Sequence, residues 1–205
     1  MHNNIGYGSR VKTASIGEMT IEVLDPTASC MYLGRDLSLT NPHETELNHR
    51  LRKAWGKFGA FKSELTDKAI PLRLRLKLFQ SVVAPTVLYG CCSWVMTRER
   101  TMKLKSTQSK MLRTMLGRRR LVDTAGELET WVDWIQRVTH EARQLAGEQG
   151  IPCWVEEHIA KVEKWKQQLA GMEHRRWAKQ VVDWQPQGCR SRGRPRARWL
   201  SPSGT

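Results

Sequence analysis

The sequence predicts a mainly α-helical protein that has a short β-hairpin near its N-terminus and a disordered basic tail at its C-terminus. Three observations lead to this class. Apolar residues recur at helical spacing from about residue 43 to 184, and two short runs typical of strands occur before residue 35. The last twenty residues are rich in Gly, Pro and Arg and too polar to fold alone. A chain of 205 residues accommodates one domain or two small ones.

The hairpin is predicted from two short runs. Residues 19–24, "MTIEVL", alternate β-forming and polar side chains, and "DPT" follows as a turn. Residues 29–34, "SCMYLG", indicate a second strand that ends at Gly34. We therefore expect these two runs to pair with each other.

The first long helix is predicted within residues 41–66. Asn41 or Thr40 is a suitable N-cap, and the acids of the first turn favour the positive end of a helix dipole. The apolar positions recur at helical spacing, and basic residues are expected to occupy much of the remaining surface: Arg50, Arg52, Lys53, Lys57 and Lys62.

Residues 71–97 combine a basic run with an uncharged one. "PLRLRLKLF" alternates like a strand, but Pro71 and the good helix formers after it favour a helix. The uncharged run "LFQSVVAPTVLYGCCSWVMT", residues 78–97, is long enough to cross a membrane but contains too many polar residues. We expect a buried helix that is kinked or restarted at Pro85.

Four further helices are expected after the uncharged run. Residues 98–117 form a basic amphipathic helix that stops at Gly117, and its methionines suit core filling better than a ligand groove. Three arginines, Arg118, Arg119 and Arg120, follow. Helices are then predicted within residues 128–150, 153–171 and 175–184.

The charge distribution points to a polyanionic partner. The formal net charge is +14, and residues 43–120 hold 18 Lys or Arg against 5 Asp or Glu. Residues 121–183 are mildly acidic, and residues 184–205 hold five Arg and no acid. A basic block binds polyanions because it releases their condensed counterions, so we expect contact with a nucleic-acid backbone. A solvated charged face is the alternative.

Composition also bears on location and on chemistry. No apolar signal segment is visible at the N-terminus, and the five cysteines are scattered, so we expect an intracellular protein, in the cytoplasm or nucleus, neither secreted nor in a membrane. The spacing of Cys and His does not match a zinc site, and neither a nucleophile signature nor a phosphate loop occurs. We therefore expect no metal, no cofactor and no small-molecule substrate.

The tail carries a second basic motif. "RGRPRAR", residues 192–198, resembles an AT-hook, whose arginines enter a narrow minor groove. Sequence-general binding, a preference for A·T-rich DNA and no useful binding all stay open. The arginines concerned are Arg192, Arg194, Arg196 and Arg198.

A series of phrases in order resembles one family. "YLGRDLS", "LRKAWGKF", "LFQSVVAPTVLYG", "TQSKMLRTMLG", "RRWAKQVVDWQP" and "RGRPRARW" together resemble the region downstream of the catalytic palm in reverse transcriptases of LINE-type (non-LTR) retrotransposons. The resemblance covers roughly residues 10–200.

The resemblance implies a division of the chain and a set of roles. Residues 1–35 would be a palm remnant, 36–120 a basic helical thumb-like domain, 121–185 a Trp-rich connector and 186–205 the tail. The hairpin formed by Tyr32, Leu33 and Gly34 would help to hold a primer end. The basic side of the first thumb helix would face a template–primer duplex of RNA and DNA.

The polymerase carboxylates of that family do not occur in this sequence. Two-metal polymerases need clustered carboxylates, and the family places two Asp side by side. This chain has six Asp, of which no two are adjacent. We therefore expect no polymerase activity from the chain alone and no catalytic residue in it. Two alternatives stay open: a protein-interaction scaffold built on the Trp-rich segment 121–184, and a decayed element remnant without a selected function.

Overall fold

A computed structural model of the protein describes residues 13–25, 27–122, 124 and 126–183. The chain forms two compact units, Met1–Glu46 and Leu47–Thr205. The predicted tail at 186–205, with its four motif arginines, lies outside the described residues.

The N-terminal unit contains two hairpins. The strands are β1 Thr13–Ile16, β2 Met19–Glu22, β3 Ser29–Tyr32 and β4 Arg35–Ser38. β1 pairs with β2 and β3 pairs with β4, both antiparallel. The expected pairing of residues 19–24 with 29–34 is therefore wrong, because each run pairs with a neighbour across its own two-residue turn, which closes the shorter loop.

The backbone of both turns explains the two hairpins. Gly17 has φ +61° at the first position of the β1–β2 turn, where type II′ turns take Gly. Leu33 and Gly34 have φ +48° and +76°, and positive φ at both central residues is the signature of a type I′ turn. Leu33 therefore occupies a left-handed conformation, which is unfavourable because its Cβ comes close to the following carbonyl oxygen.

A buried carboxylate connects the second hairpin with the start of the first helix, α1 (Pro42–Ala60). The backbone N–H of Asp36 donates to Glu46 Oε2 at 2.6 Å, and Arg35 Nε lies 3.8 Å from Glu46 Oε1. Glu46 is fully buried. Its charge is therefore compensated by an amide and a guanidinium, as a buried carboxylate requires.

The mainly α-helical class and the short N-terminal hairpin structure are confirmed. Beyond α1 the helices are α2 Lys62–Thr66, α3 Leu72–Val87, α4 Arg98–Leu116, α5 Trp131–Glu148, α6 Trp154–Ala170 and α7 Trp177–Asp183. α4 ends at Gly117, which has φ +57° and caps the helix as predicted. The 3₁₀ turn Cys91–Ser93 lies between α3 and α4.

The uncharged run is helical in its first half and buried along one side. α3 continues two residues past Pro85, which lies in its last turn, and the backbone turns at Gly90, whose φ is +64°. Phe79, Val83 and Val87 are completely inaccessible to solvent. In the described part of the chain, none of the helices has the length and apolarity needed to cross a membrane.

A buried arginine connects three helices of the larger unit. Arg75 in α3 donates from Nη1 to Met115 O at 2.7 Å and to Leu65 O at 3.3 Å, and from Nε to Ile70 O at 3.0 Å. Leu65 and Met115 lie next to the ends of α2 and α4, where carbonyls have no partner within the helix. Arg75 therefore satisfies carbonyls that would otherwise be buried without a donor.

Aromatic contacts connect α6 to the core. The Phe79 and Trp154 rings stack with centroids 5.7 Å apart, and Phe58 meets Phe79 edge-on at 6.4 Å. The side-chain amide of Gln108 accepts from Trp154 N at 2.9 Å and donates to Pro152 O at 3.0 Å. The buried start of α6 is thereby fixed to α4.

We predict that Arg75→Met lowers the unfolding free energy of the helical unit by about 3 kcal/mol or more, because three carbonyls lose a charged donor. Arg73→Met is the matched control, because Arg73 lies two residues before Arg75 in the same helix and is exposed. Urea unfolding followed by circular dichroism measures both. Equal losses for the two variants would contradict the role given to Arg75.

Candidate nucleic-acid interface

The exposed side of α1 carries a stripe of basic and small residues. Its members are three or four positions apart, so they share one face of the helix: His49, Arg52, Lys53, Gly56, Lys57 and Ala60. The other face is buried and consists of Leu47, Leu51, Ala54 and Phe58. Burial of the apolar face therefore directs the basic stripe to solvent.

The stripe forms one wall of an open groove. Together with Thr86 of α3, these residues line a volume of about 610 Å³. Arg52, Lys53 and Lys57 supply three positive charges, and the described residues that line the groove include no carboxylate. Groups of this kind donate hydrogen bonds to phosphate oxygens and attract polyanions.

The remaining predicted residues near α1 lie elsewhere. Arg50 is 7% exposed, and its guanidinium carbon lies 4.4 Å from the ring centroid of Tyr89. The expected surface position of Arg50 is therefore wrong, because a cation–π contact holds the side chain against the segment that follows α3. Lys62 is exposed at the start of α2 but does not line the groove.

The three consecutive arginines after α4 have different surroundings. Arg118 forms an ion pair with Glu141, with Nη2 2.6 Å and Nε 2.8 Å from Oε1. Arg120 donates from Nε to Glu129 O at 2.6 Å. Arg119 is exposed, and its carbonyl accepts from Arg137 Nη2 at 3.2 Å. The segment is thus fastened to the start of α5, and two of its charges already have protein partners.

Glu129 anchors this segment. Arg137 donates to both of its carboxylate oxygens, at 2.8 and 2.7 Å, and Leu121 N donates to Oε2 at 3.1 Å. The hydrogen bond from Arg137 is the main reason that the pKa of Glu129 falls to about 2, and Leu121 N–H adds to the effect. Glu129 is therefore ionised at all but very acidic pH.

The predicted primer-grip-like residues form the tip of the second hairpin. Tyr32 is 61% exposed and Leu33 is 74% exposed, and Leu33 and Gly34 are the two central residues of the turn. They belong to the N-terminal unit, whereas the residues that line the α1 groove belong to the larger unit. The tip of the hairpin exposes apolar side chains, whereas the α1 groove exposes basic ones.

Sequence reasoning found three of the groove residues and missed the others. His49, Gly56 and Ala60 could have been found from their spacing relative to Lys53, because they fall on the same helical face. Thr86 could not have been found, since no local pattern indicates that it faces α1. The structure does not place Arg50, Lys62 or the Arg118–Arg120 segment in this groove.

The described residues provide little for metal or thiol chemistry. Nowhere in those ranges do three His, Cys, Asp or Glu side chains gather so that they could hold a metal ion. Burial raises the pKa of the Cys91 thiol to about 12, and Cys92 adds to the effect, so the thiol stays protonated near neutral pH. Within the described ranges, Cys30, Cys91, Cys92 and Cys153 form no disulfide.

The tryptophans divide between core and surface. Trp94 and Trp154 are buried, whereas Trp131 is 60% and Trp177 is 80% exposed. Trp134 uses its indole N–H to bind Arg118 O at 3.1 Å. The Trp-rich segment therefore offers exposed aromatic side chains, and its use by a protein partner stays a prediction.

Comparison with known proteins gives one informative similarity. Over 117 residues, which are 57% of this chain, the sequence is 28% identical to an uncharacterized transposon-derived protein of Caenorhabditis elegans. The aligned region covers 41% of that relative, so the chain spans about two-fifths of the length of the curated protein it matches. No protein-family profile and no solved structure matches the chain.

We predict that the Glu129 contacts lose their contribution to stability as the pH falls from about 4.5 towards about 2, because the folded-state pKa lies below the ordinary value. At neutral pH the parent should unfold at a higher urea concentration than Glu129→Gln. This difference should disappear as the pH is lowered from about 4.5 to about 2. Glu148→Gln, at the exposed far end of α5, is the control. A difference that is independent of pH would contradict the assigned ionisation.

Proposed function

We propose that this chain derives from a retrotransposon of the LINE type and holds a nucleic-acid backbone without performing polymerase chemistry. Two findings support the origin. One is the ordered series of phrases that resembles the region beyond the palm of LINE-type reverse transcriptases. The other is the similarity to a protein described as transposon-derived.

The basic groove of α1 is the observation that carries the binding proposal. Arg52, Lys53 and Lys57 converge on one face of a well-anchored helix, and the formal net charge of the chain is +14. A row of cations on one exposed face of a helix suits a phosphate backbone, which carries regularly spaced negative charge. The groove offers few groups that could read bases, so we propose binding without sequence preference.

The absence of polymerisation is part of the proposal and is supported by the sequence. Two-metal phosphoryl transfer needs clustered carboxylates, which the family that this sequence resembles supplies in part from two adjacent Asp, and no two of the six Asp of this chain are adjacent. We propose that the isolated chain binds an RNA–DNA duplex but incorporates no nucleotide. Tyr32, Leu33 and Gly34 would lie against the primer end in a longer protein that supplies the palm.

We expect the triple variant Arg52→Gln/Lys53→Gln/Lys57→Gln to bind an RNA–DNA duplex on the order of 10- to 100-fold more weakly at low salt, because three phosphate contacts are lost. Fluorescence anisotropy over a salt series measures this. The slope of log affinity against log salt should fall by about three.

A charge-matched control separates a local site from general attraction. Lys164, Arg175 and Arg176 are exposed in the α6–α7 region, and their replacement by Gln removes the same net charge. This control should keep most of the affinity. If both triple variants lose the same affinity and slope, the α1 groove is not the binding site.

A pair of glycine variants tests the groove without changing charge. A Cβ added at Gly56 or Gly59 meets no atom within 4 Å, and both lie in α1, so alanine should stabilise either position by about 0.5–1 kcal/mol. Only Gly56 lines the groove. We expect Gly56→Ala to weaken duplex binding several-fold and Gly59→Ala to leave it unchanged. Identical binding by both variants would show that the backbone does not approach α1 at Gly56.

A further inference from the structure

A second cavity lies among α4, α5 and the start of α6, and its residues take no part in the α1 groove. It has a volume of about 280 Å³ and is bounded by residues from α4, from the last turns of α5 and from residues 151–156. Two cationic side chains from different helices line it, Lys105 and Arg143. The cavity is too small for a duplex and suits a small ligand.

Arg143 is oriented by α4. Its Nε and Nη2 both donate to Ser109 Oγ, at 3.1 and 2.9 Å, and Ser109 Oγ donates in turn to Lys105 O at 2.8 Å. This arrangement fixes the plane of the guanidinium and leaves its Nη1 donors for another acceptor. Among the described residues, Arg143 and Lys105 form no ion pair.

The positive charge at this cavity is only partly balanced. Burial and the charge of Arg143 lower the pKa of the neighbouring Arg113, which bonds the Thr139 hydroxyl rather than a carboxylate. Glu156 is the acid that lines the cavity, and its Oε2 accepts from Cys153 N at 3.4 Å. Lys105, Arg143 and Glu156 together give the lining a formal charge of +1, which one further negative charge would balance.

Two hydrogen bonds hold the floor of the cavity in place. Gln108, which is 5% exposed, bonds both Pro152 O and Trp154 N, and this holds residues 152–154 against α4. Gly147 of α5 also lines the cavity, and a Cβ at that position would meet no atom within 4 Å. The cavity is therefore open at Gly147 because glycine has no side chain to occupy the space there.

We infer that this cavity is a binding site for a small oxyanion, namely a phosphate group, held by Lys105 and Arg143. Free phosphate and the terminal phosphate of a nucleotide offer the same chemistry. Each cation contributes a charge-assisted hydrogen bond, and a guanidinium with a fixed plane suits an oxyanion that has several acceptor atoms. This inference is independent of the proposed duplex binding.

Isothermal titration calorimetry with inorganic phosphate, on the full chain and at constant ionic strength, tests the site. We expect saturable binding of one phosphate per chain, weakened roughly tenfold in Lys105→Met because one charge-assisted contact is lost. Lys164→Met is the matched control, since Lys164 is also exposed and its replacement removes the same charge. It should bind phosphate as the parent does.

Two further arms make the result decisive. Adenosine monophosphate should compete with inorganic phosphate if the site accepts a phosphate monoester, whereas adenosine should not compete. If adenosine monophosphate does not compete either, the site binds free phosphate alone. Gly147→Ala should weaken binding while thermal unfolding stays as cooperative as in the parent. The inference is overturned if phosphate does not bind saturably, or if Lys105→Met and Lys164→Met lose the same affinity.

Discussion

The helical unit depends on one buried guanidinium. Arg75 donates to carbonyls near the ends of α2 and α4 while it is itself part of α3, so one side chain joins three helices. Burial lowers the pKa of this guanidinium from its ordinary value, and the charge of Asp67 opposes the change. An apolar side chain at this position would leave the carbonyls unsatisfied, and a lysine could not span them in the same geometry. Arg75 therefore helps to fix α2, α3 and α4 against one another, together with the apolar core that they share.

The candidate interface is a consequence of the same core. Phe58 of α1 contacts Phe79 of α3, which stacks on Trp154 of α6, so the apolar face of α1 is fixed inward. A helix that buries one face must expose the other, and on α1 the exposed face carries Arg52, Lys53 and Lys57. Binding and stability are thus properties of opposite sides of one helix. Substitutions in the stripe should therefore change affinity without changing the fold.

Much of the fold was predictable because its signals are local. The apolar spacing, Gly117 as a stop and the polar interruptions in the uncharged run identify helices α1 and α3 to α7. The hairpin pairing was not predictable from alternation alone. It depended on Leu33 adopting a positive φ, which residue preference argues against. Arg50 was misplaced for a different reason, namely that its partner Tyr89 is distant in sequence.

The sequence by itself determined the helical class, the concentration of positive charge between residues 43 and 120 and the separation of the aspartates, because composition and periodicity carry these properties. Only the tertiary structure decided which cations share a surface. It placed Lys53 and Lys57 in an open groove, buried Arg50 against an aromatic ring and brought Lys105 towards Arg143 across two helices. The physical reason is that side chains far apart in sequence meet only when the helices that carry them pack, and packing is settled by long-range contacts such as those of Arg75 and Phe79.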